Sequence, residues 1–154
     1  IRALLRGRYM YIHNYEPDRW PAGNPETGYM NVDASPTKTE IIKARHNPDT
    51  KYMWDLSMGK RPAIELYDVY TDPLCMTNLA NKPELASVIQ SMEQEMSQRL
   101  KEENDPRMYG HGDVFDKYPN ASPSHMYWNR WKAGEQIPSN WIKKEDFDPT
   151  ASDL

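Results

Sequence analysis

The sequence is short of the side chains that ordinarily fill a protein interior. Leu, Ile, Val and Phe together make up 23 of the 154 residues. That is about 15%, below the roughly 20% under which an aliphatic core becomes thin. No stretch nears the roughly 18 consecutive apolar residues of a membrane-spanning helix. The single cysteine, Cys75, excludes an internal disulfide framework. Basic excess is missing too. The formal net charge is −4, which argues against a nucleic-acid partner. Neither an initiator Met nor a leader-like segment precedes Ile1-Arg2-Ala3, so further chain upstream is expected.

What is present is aromatic and sulfur-rich. The chain carries ten Tyr, five Trp and nine Met. These side chains bury large areas, but Tyr and Trp also need a partner for their polar tip. A net charge this low separates the chain from disordered sequences. Thirteen prolines interrupt helices and interior strands. The composition describes a partial domain that leans on another surface and sends long segments across it.

Periodicity and punctuation give an element map. Residues 1–15 read as a hairpin turning at Gly7, with Tyr9, Tyr11, His13 and Tyr15 on one face and Met10, Ile12 and Asn14 on the other. Both faces are half apolar, so cover on both sides is expected. Residues 16–36, rich in Pro and Gly, form a long loop of the functional or wrapping kind. A short helix is expected over 37–45, started by a Thr37–Glu40 capping box or equally by Ser35-Pro36. A strand covers 63–70 and stops at Asp72-Pro73. Over 83–103, Leu85, Val88, Ile89, Met92, Met96 and Leu100 fall at helical spacing behind Pro83. The remaining 109–154 lacks periodicity and reads as an irregular, aromatic-rich tail.

The run Glu65-Leu66-Tyr67-Asp68, then Asp72-Pro73, then Asn78-Leu79-Ala80 ahead of a long helix resembles a hallmark of type I sulfatases. Arg8-Tyr9-Met10-Tyr11-Ile12 resembles the hairpin of that family. Asp33-Ala34-Ser35-Pro36-Thr37 and Asn104-Asp105-Pro106 are similar to the heparan N-sulfatase (N-sulfoglucosamine sulfohydrolase) branch. The resemblance covers residues 1–108. It implies an α+β fold, a small antiparallel sheet of about four strands packed on a long amphipathic helix, as in the C-terminal subdomain of an alkaline-phosphatase-like enzyme. It also implies an N-terminal catalytic sulfatase domain as partner, a sulfated glycan as substrate, and a periplasmic or secreted parent.

Catalysis in that family uses a formylglycine made within Cys/Ser-x-Pro-x-Arg beside a calcium ion. Here Cys75 is followed by Thr77 and Leu79 where Pro and Arg would stand. No catalytic or metal-ligating residue, and no cofactor, is therefore assigned to this segment. The parent is expected to supply calcium and formylglycine from upstream.

Four residues are candidates for substrate binding. His13 and Asn14 at a strand end face a cleft, or are a strand-end pair satisfied by neighbours. Trp20 and Asn24 belong to a rim that selects sugars, with Trp20 as stacking platform, or to a loop that only wraps. His111, Asp113 and Asp116 have a faint metal-site pattern of a kind that arises often by chance. Trp128, Trp131 and Trp141 form a sugar platform or anchor the tail. The reading is a sulfatase C-terminal segment that shapes the cleft and stabilises the catalytic domain. The alternative is a free-standing carbohydrate-binding or interaction module.

Overall fold

The computed structural model describes residues 1–119, 126–136 and 141–153. Along the chain the order is β1 (Arg2–Arg6), β2 (Tyr9–His13), α1 (Pro36–Ala44), α2 (Lys51–Ser57), β3 (Ile64–Asp68), α3 (Ala86–Glu102) and α4 (Tyr127–Lys132), with 3-10 turns between. The class is α+β. Two compact units are present, Ile1–Glu16 with Pro62–Asn120, and Pro17–Arg61 with Ala121–Leu154. No helix among the described residues is long and apolar enough to cross a membrane.

The first unit is an antiparallel sheet, order β1-β2-β3, backed by α3. Gly7, at φ 59, supplies the left-handed turn that a two-residue hairpin needs. The register sets Leu4, Tyr11 and Leu66 in one row across the three strands. That row meets Met92, Met96 and Leu100 of α3 to form the core. Leu85, Val88 and Ile89 pack at its margin, so every apolar position read from the helical spacing is used. On the opposite face Glu65 and Tyr67 are buried, the Tyr67 hydroxyl donating to the Glu65 carboxylate. Leu5 is 63% exposed. The second face is thus covered at β3 and open at β1.

Three strands are present among the described residues where about four were expected. The place beside β3 is held by Asn78 and Leu79. Leu79 N donates to the Leu66 carbonyl at 2.8 Å. The Asn78 side chain does the rest, Oδ1 accepting from Leu66 N at 3.0 Å and Nδ2 donating to the Ile64 carbonyl at 3.2 Å. One amide therefore closes a sheet edge that a strand would otherwise have to pair. It also accepts from Ala80 N at 2.9 Å. Asn78→Ala is expected to destabilise the first unit by about 1–3 kcal/mol, since it leaves these backbone groups without partners. Asn78→Asp keeps the acceptor and loses the donor, so urea denaturation should place it between the two.

Asp68 ends β3. Its side chain accepts from Tyr70 N at 3.2 Å and is ion-paired with Arg8. The Arg8 guanidinium holds the carboxyl at about 2, below the ordinary 3.8. A depressed carboxylate pKa gives stability that is fully present above the unfolded value and lost as pH falls through the folded one. Acid titration of the first unit should therefore show a loss between about pH 4 and pH 2 that Asp68→Asn removes.

In the second unit α1 starts at Ser35, not at Thr37. The Ser35 hydroxyl accepts from Lys38 N at 3.1 Å, and Pro36 takes the first helical position. The core contains Ala22, Tyr29, Ile42, Trp54, Met58 and Ala151. Gly28, at φ 74, closes the 3-10 turn Pro25–Thr27. A Cβ there would lie 2.5 Å from Ile142 Cγ2, so loop and tail approach closely only because this residue is glycine. Among the described residues the buried tail groups are Tyr127, Ile142, Asp146, Asp148 and Ala151, whereas Trp131 and Trp141 stay 40% and 38% exposed.

Candidate functional site

His13 and Asn14 lie at the end of β2 in the first unit, where backbone pairing stops and side chains take over. The His13 ring stacks on Tyr15 at 4.1 Å with the planes 4° apart. Its Nδ1 is 3.9 Å from Glu93 Oε1. Burial lowers the imidazole pKa, with Glu93 working the other way, so burial favours the neutral ring. Asn14 is buried. Its N donates to the Ala63 carbonyl at 2.8 Å and its Oδ1 accepts from Glu16 N at 3.1 Å. Both residues are tied into the fold by these contacts. Close by, burial pushes the Tyr11 hydroxyl up to about 12.

A second polar group in this unit was not foreseen. Asp105 caps the 3-10 turn Pro106–Tyr109, accepting from Arg107 N at 2.9 Å. It also accepts from Arg2 Nε at 2.6 Å. Burial works against its charge, but the Arg107 amide and the Arg2 guanidinium together keep its pKa low. Arg107 lies 3.8 Å over the Phe115 ring and Arg2 5.5 Å from its centroid. The sequence signal for this was Asp105-Pro106, the signature of a capped turn.

Trp20 and Asn24 lie in the second unit. Asn24 acts through its backbone, its carbonyl accepting from Thr27 N, Tyr29 N and Thr27 Oγ1 at 3.1, 3.1 and 2.9 Å. Trp20 is half-buried and meets Trp54 edge-on, 6.2 Å between centroids at 63°. Lys60 Nζ stands 4.9 Å from the Trp20 ring centroid.

Beneath these lies a buried polar network that joins α1 to the tail. Lys38, with no exposed side-chain surface, donates to the carbonyls of Gly28, Tyr29 and Val32 at 2.7, 3.2 and 2.8 Å. Its Nζ is 3.9 Å from Asp146 Oδ2. Asp146 Oδ1 accepts from the Thr39 hydroxyl at 2.7 Å. Asp148 accepts from Arg45 Nε and Nη2 at 2.9 and 2.6 Å and from the Tyr29 hydroxyl at 3.1 Å. Tyr29 in turn accepts from Trp54 Nε1 at 3.1 Å. Burial raises the Tyr29 pKa strongly, so it stays a neutral donor.

Cys75 sits at φ 52 in an exposed turn with Thr77 and Leu79 in the motif positions. No group of three or more His, Cys, Asp or Glu side chains able to hold a metal occurs among the described residues. Asp113 is paired with Lys117 at 2.5 Å, which lowers its pKa. That contact explains Asp113 as half of an exposed i,i+4 ion pair.

An ulvan-active sulfatase of Formosa agariphila is 26% identical to the chain over 128 residues, covering 79% of the chain. The chain is similar to a sulfatase. It spans 20% of that relative's length. No protein-family model matches the chain, and no solved structure matches it.

The residues that carry the sulfatase resemblance have structural tasks here. Leu66 fills the core, Tyr67 donates to Glu65, and Asp68 pairs with Arg8. Asp72 Oδ2 accepts from Thr77 N at 2.7 Å, which shapes the turn leading to Asn78. The motif describes how one strand is finished and its edge closed.

Proposed function

We propose that residues 1–154 are the C-terminal portion of a sulfatase that hydrolyses sulfate esters or sulfamates of a glycan. The observation that carries this reading is the similarity to an ulvan-active sulfatase over 79% of the chain. The order of β3, the Asp72-Pro73 turn, the Asn78 edge closure and α3 supports it. In this reading the segment stabilises an upstream catalytic domain and forms one side of its substrate cleft, and His13, Asn14, Trp20 and Asn24 are the residues nearest to that task. The upstream domain supplies the formylglycine and the calcium ion, and the protein is periplasmic or secreted. Asp33 to Thr37 and Asn104-Asp105-Pro106 favour the heparan N-sulfatase branch within it.

The deciding experiment is the intact mass, under denaturing conditions, of the natural polypeptide containing Ile1 to Leu154, with peptide mapping upstream. The expected result is a mass far above 18.0 kDa and an upstream peptide bearing formylglycine. A mass of 18.0 kDa would sink the proposal and leave a free-standing carbohydrate-binding or interaction module. Where the large polypeptide is found, removing residues 1–154 should reduce sulfate release. Unchanged activity and substrate preference would overturn the cleft role.

A further inference from the structure

We propose that Trp20 and Lys60 form a subsite for one sulfated sugar residue, in which Lys60 makes the aromatic platform selective for sulfate. The proposal rests on the glycan-sulfatase reading and gives one place in the second unit where that substrate class is recognised.

The indole is a fixed surface. Trp20 packs at the margin of the core, edge-on to the buried Trp54. The backbone is fixed just ahead of Lys60. The preceding Gly59 donates to the Trp54 carbonyl at 3.1 Å, and a Cβ on Gly59 would lie 2.7 Å from the Asp55 carbonyl oxygen. The chain therefore passes too close to α2 for any other residue there. The exposed lysine side chain then lies over Trp20, with Nζ 4.9 Å from the ring centroid.

The cations around these two indoles differ in one respect. Arg45 and Lys51 stand 5.8 and 5.4 Å from the Trp54 ring, and each has its own carboxylate, Asp148 and Asp55. Among the described residues Lys60 has no carboxylate partner. Its ammonium rests on the negative face of an indole, a weak contact when solvated. A strong anion accepts from an ammonium far better than a ring face does.

The chemistry of the ligand follows. A sugar ring stacks its C–H face on an indole, and here it must displace the ammonium to do so. A neutral sugar gives nothing in return for the lost contact. A sugar bearing a sulfate keeps the ammonium at the rim of the platform in a charge-assisted hydrogen bond. Lys60 thus opposes the neutral ligand and favours the sulfated one, so discrimination has a repulsive and an attractive part.

The test is calorimetric titration, at one fixed salt concentration, of the polypeptide that carries residues 1–154. The probes are a heparin-derived hexasaccharide, a sulfated galactan oligosaccharide and the desulfated counterpart of each. Wild type is expected to prefer at least one sulfated probe by about tenfold, the scale of one charge-assisted contact. Lys60→Met should abolish that preference, weakening the sulfated probe while holding or improving the desulfated one. Trp20→Leu should weaken both forms, and Trp20→Phe should retain part of the binding. Lys82→Met, at an exposed lysine of the first unit, serves as the control for general attraction between charges. The proposal is overturned if neither sulfated probe is preferred by wild type. It is equally overturned if Lys60→Met leaves the ratio unchanged, or if Lys82→Met lowers it as much. Sulfate release from the same probes separates the two ideas. Release with an unchanged Lys60→Met ratio removes the subsite and spares the sulfatase reading. No release with a collapsed ratio does the opposite.

Discussion

Replacing Lys38 with Met is expected to destabilise the second unit by about 3–5 kcal/mol, the usual effect of removing one partner from a buried ionic group. Met matches the lysine stem in length but brings no donors. The carbonyls of Gly28, Tyr29 and Val32 would lose their common partner, and Asp146, itself fully buried, would face no positive charge. Burial lowers the Lys38 pKa and Asp146 opposes that shift. Between the lowered value and 10.5 the folded state holds fewer protons than the unfolded one, so the Lys38 contribution to stability rises with pH across that window. Hydrogen exchange should report the loss first at residues 28–32, the segment whose carbonyls converge on Nζ. Lys43→Met, which removes only an exposed pair with Glu40, should shift denaturation by less than about 1 kcal/mol. Pairing Lys38→Met with Asp146→Leu should recover part of the stability, because it removes the stranded carboxylate. A loss under about 1 kcal/mol for Lys38→Met alone would mean that water replaces the ammonium, against the burial seen here.

Much of the first unit is legible in the sequence because its signals are local. Gly7 between two aromatic-rich runs marks the hairpin. Six apolar side chains at helical spacing after Pro83 mark α3, and each of them packs on the sheet. Asp68, Asp72 and Asn78 are readable as turn residues. That Asn78 stands in for a strand is not readable, since Asn usually signals a turn. The count of strands differs by one for that reason.

The second unit hides its logic in distant pairs. Its tail is held by Asp146 and Asp148, whose partners Thr39 and Arg45 lie 107 and 103 residues away in sequence. Hydropathy assigns such aspartates to the surface, because charged residues are almost never buried unless paired. Helix α2 escapes for another reason. Thr50 offers no capping hydrogen bond, and what fixes the helix is Trp54 in the core, a tertiary contact. The candidate site shows the same split. Trp20 is legible as an aromatic in a Pro- and Gly-rich loop. Its meeting with Lys60 depends on how residues 17–61 fold back, and no local pattern encodes that. Asn24 holds its turn through its carbonyl, a group every residue has, so that contact is not legible from its identity as Asn.

The largest expected effect outside Lys38 is at the other acid of the tail. Asp148→Ala should destabilise the second unit by about 3–5 kcal/mol. The Arg45 and Asp148 side chains are 9% and 6% exposed, and the pair is bidentate, the geometry in which guanidinium and carboxylate bind best. Alanine would leave the guanidinium with the Thr150 hydroxyl, 2.6 Å from Nη2, and the Trp54 face. It would also leave the Tyr29 hydroxyl without its acceptor. Loosening should appear as faster hydrogen exchange at residues 146–151 together with a change in tryptophan emission, because all five tryptophans of the chain fall within Pro17–Arg61 and Ala121–Leu154. Asp148→Asn keeps an acceptor for Tyr29 and loses the charge, so it should fall between wild type and Asp148→Ala. Joining Arg45→Met to Asp148→Leu removes both charges and should cost less than either Asp148→Ala or Arg45→Met alone, since neither ion is then stranded. Additive losses in that double variant would show that the two residues act separately, and the tail would then be held by Asp146 and the Ile142–Gly28 contact instead.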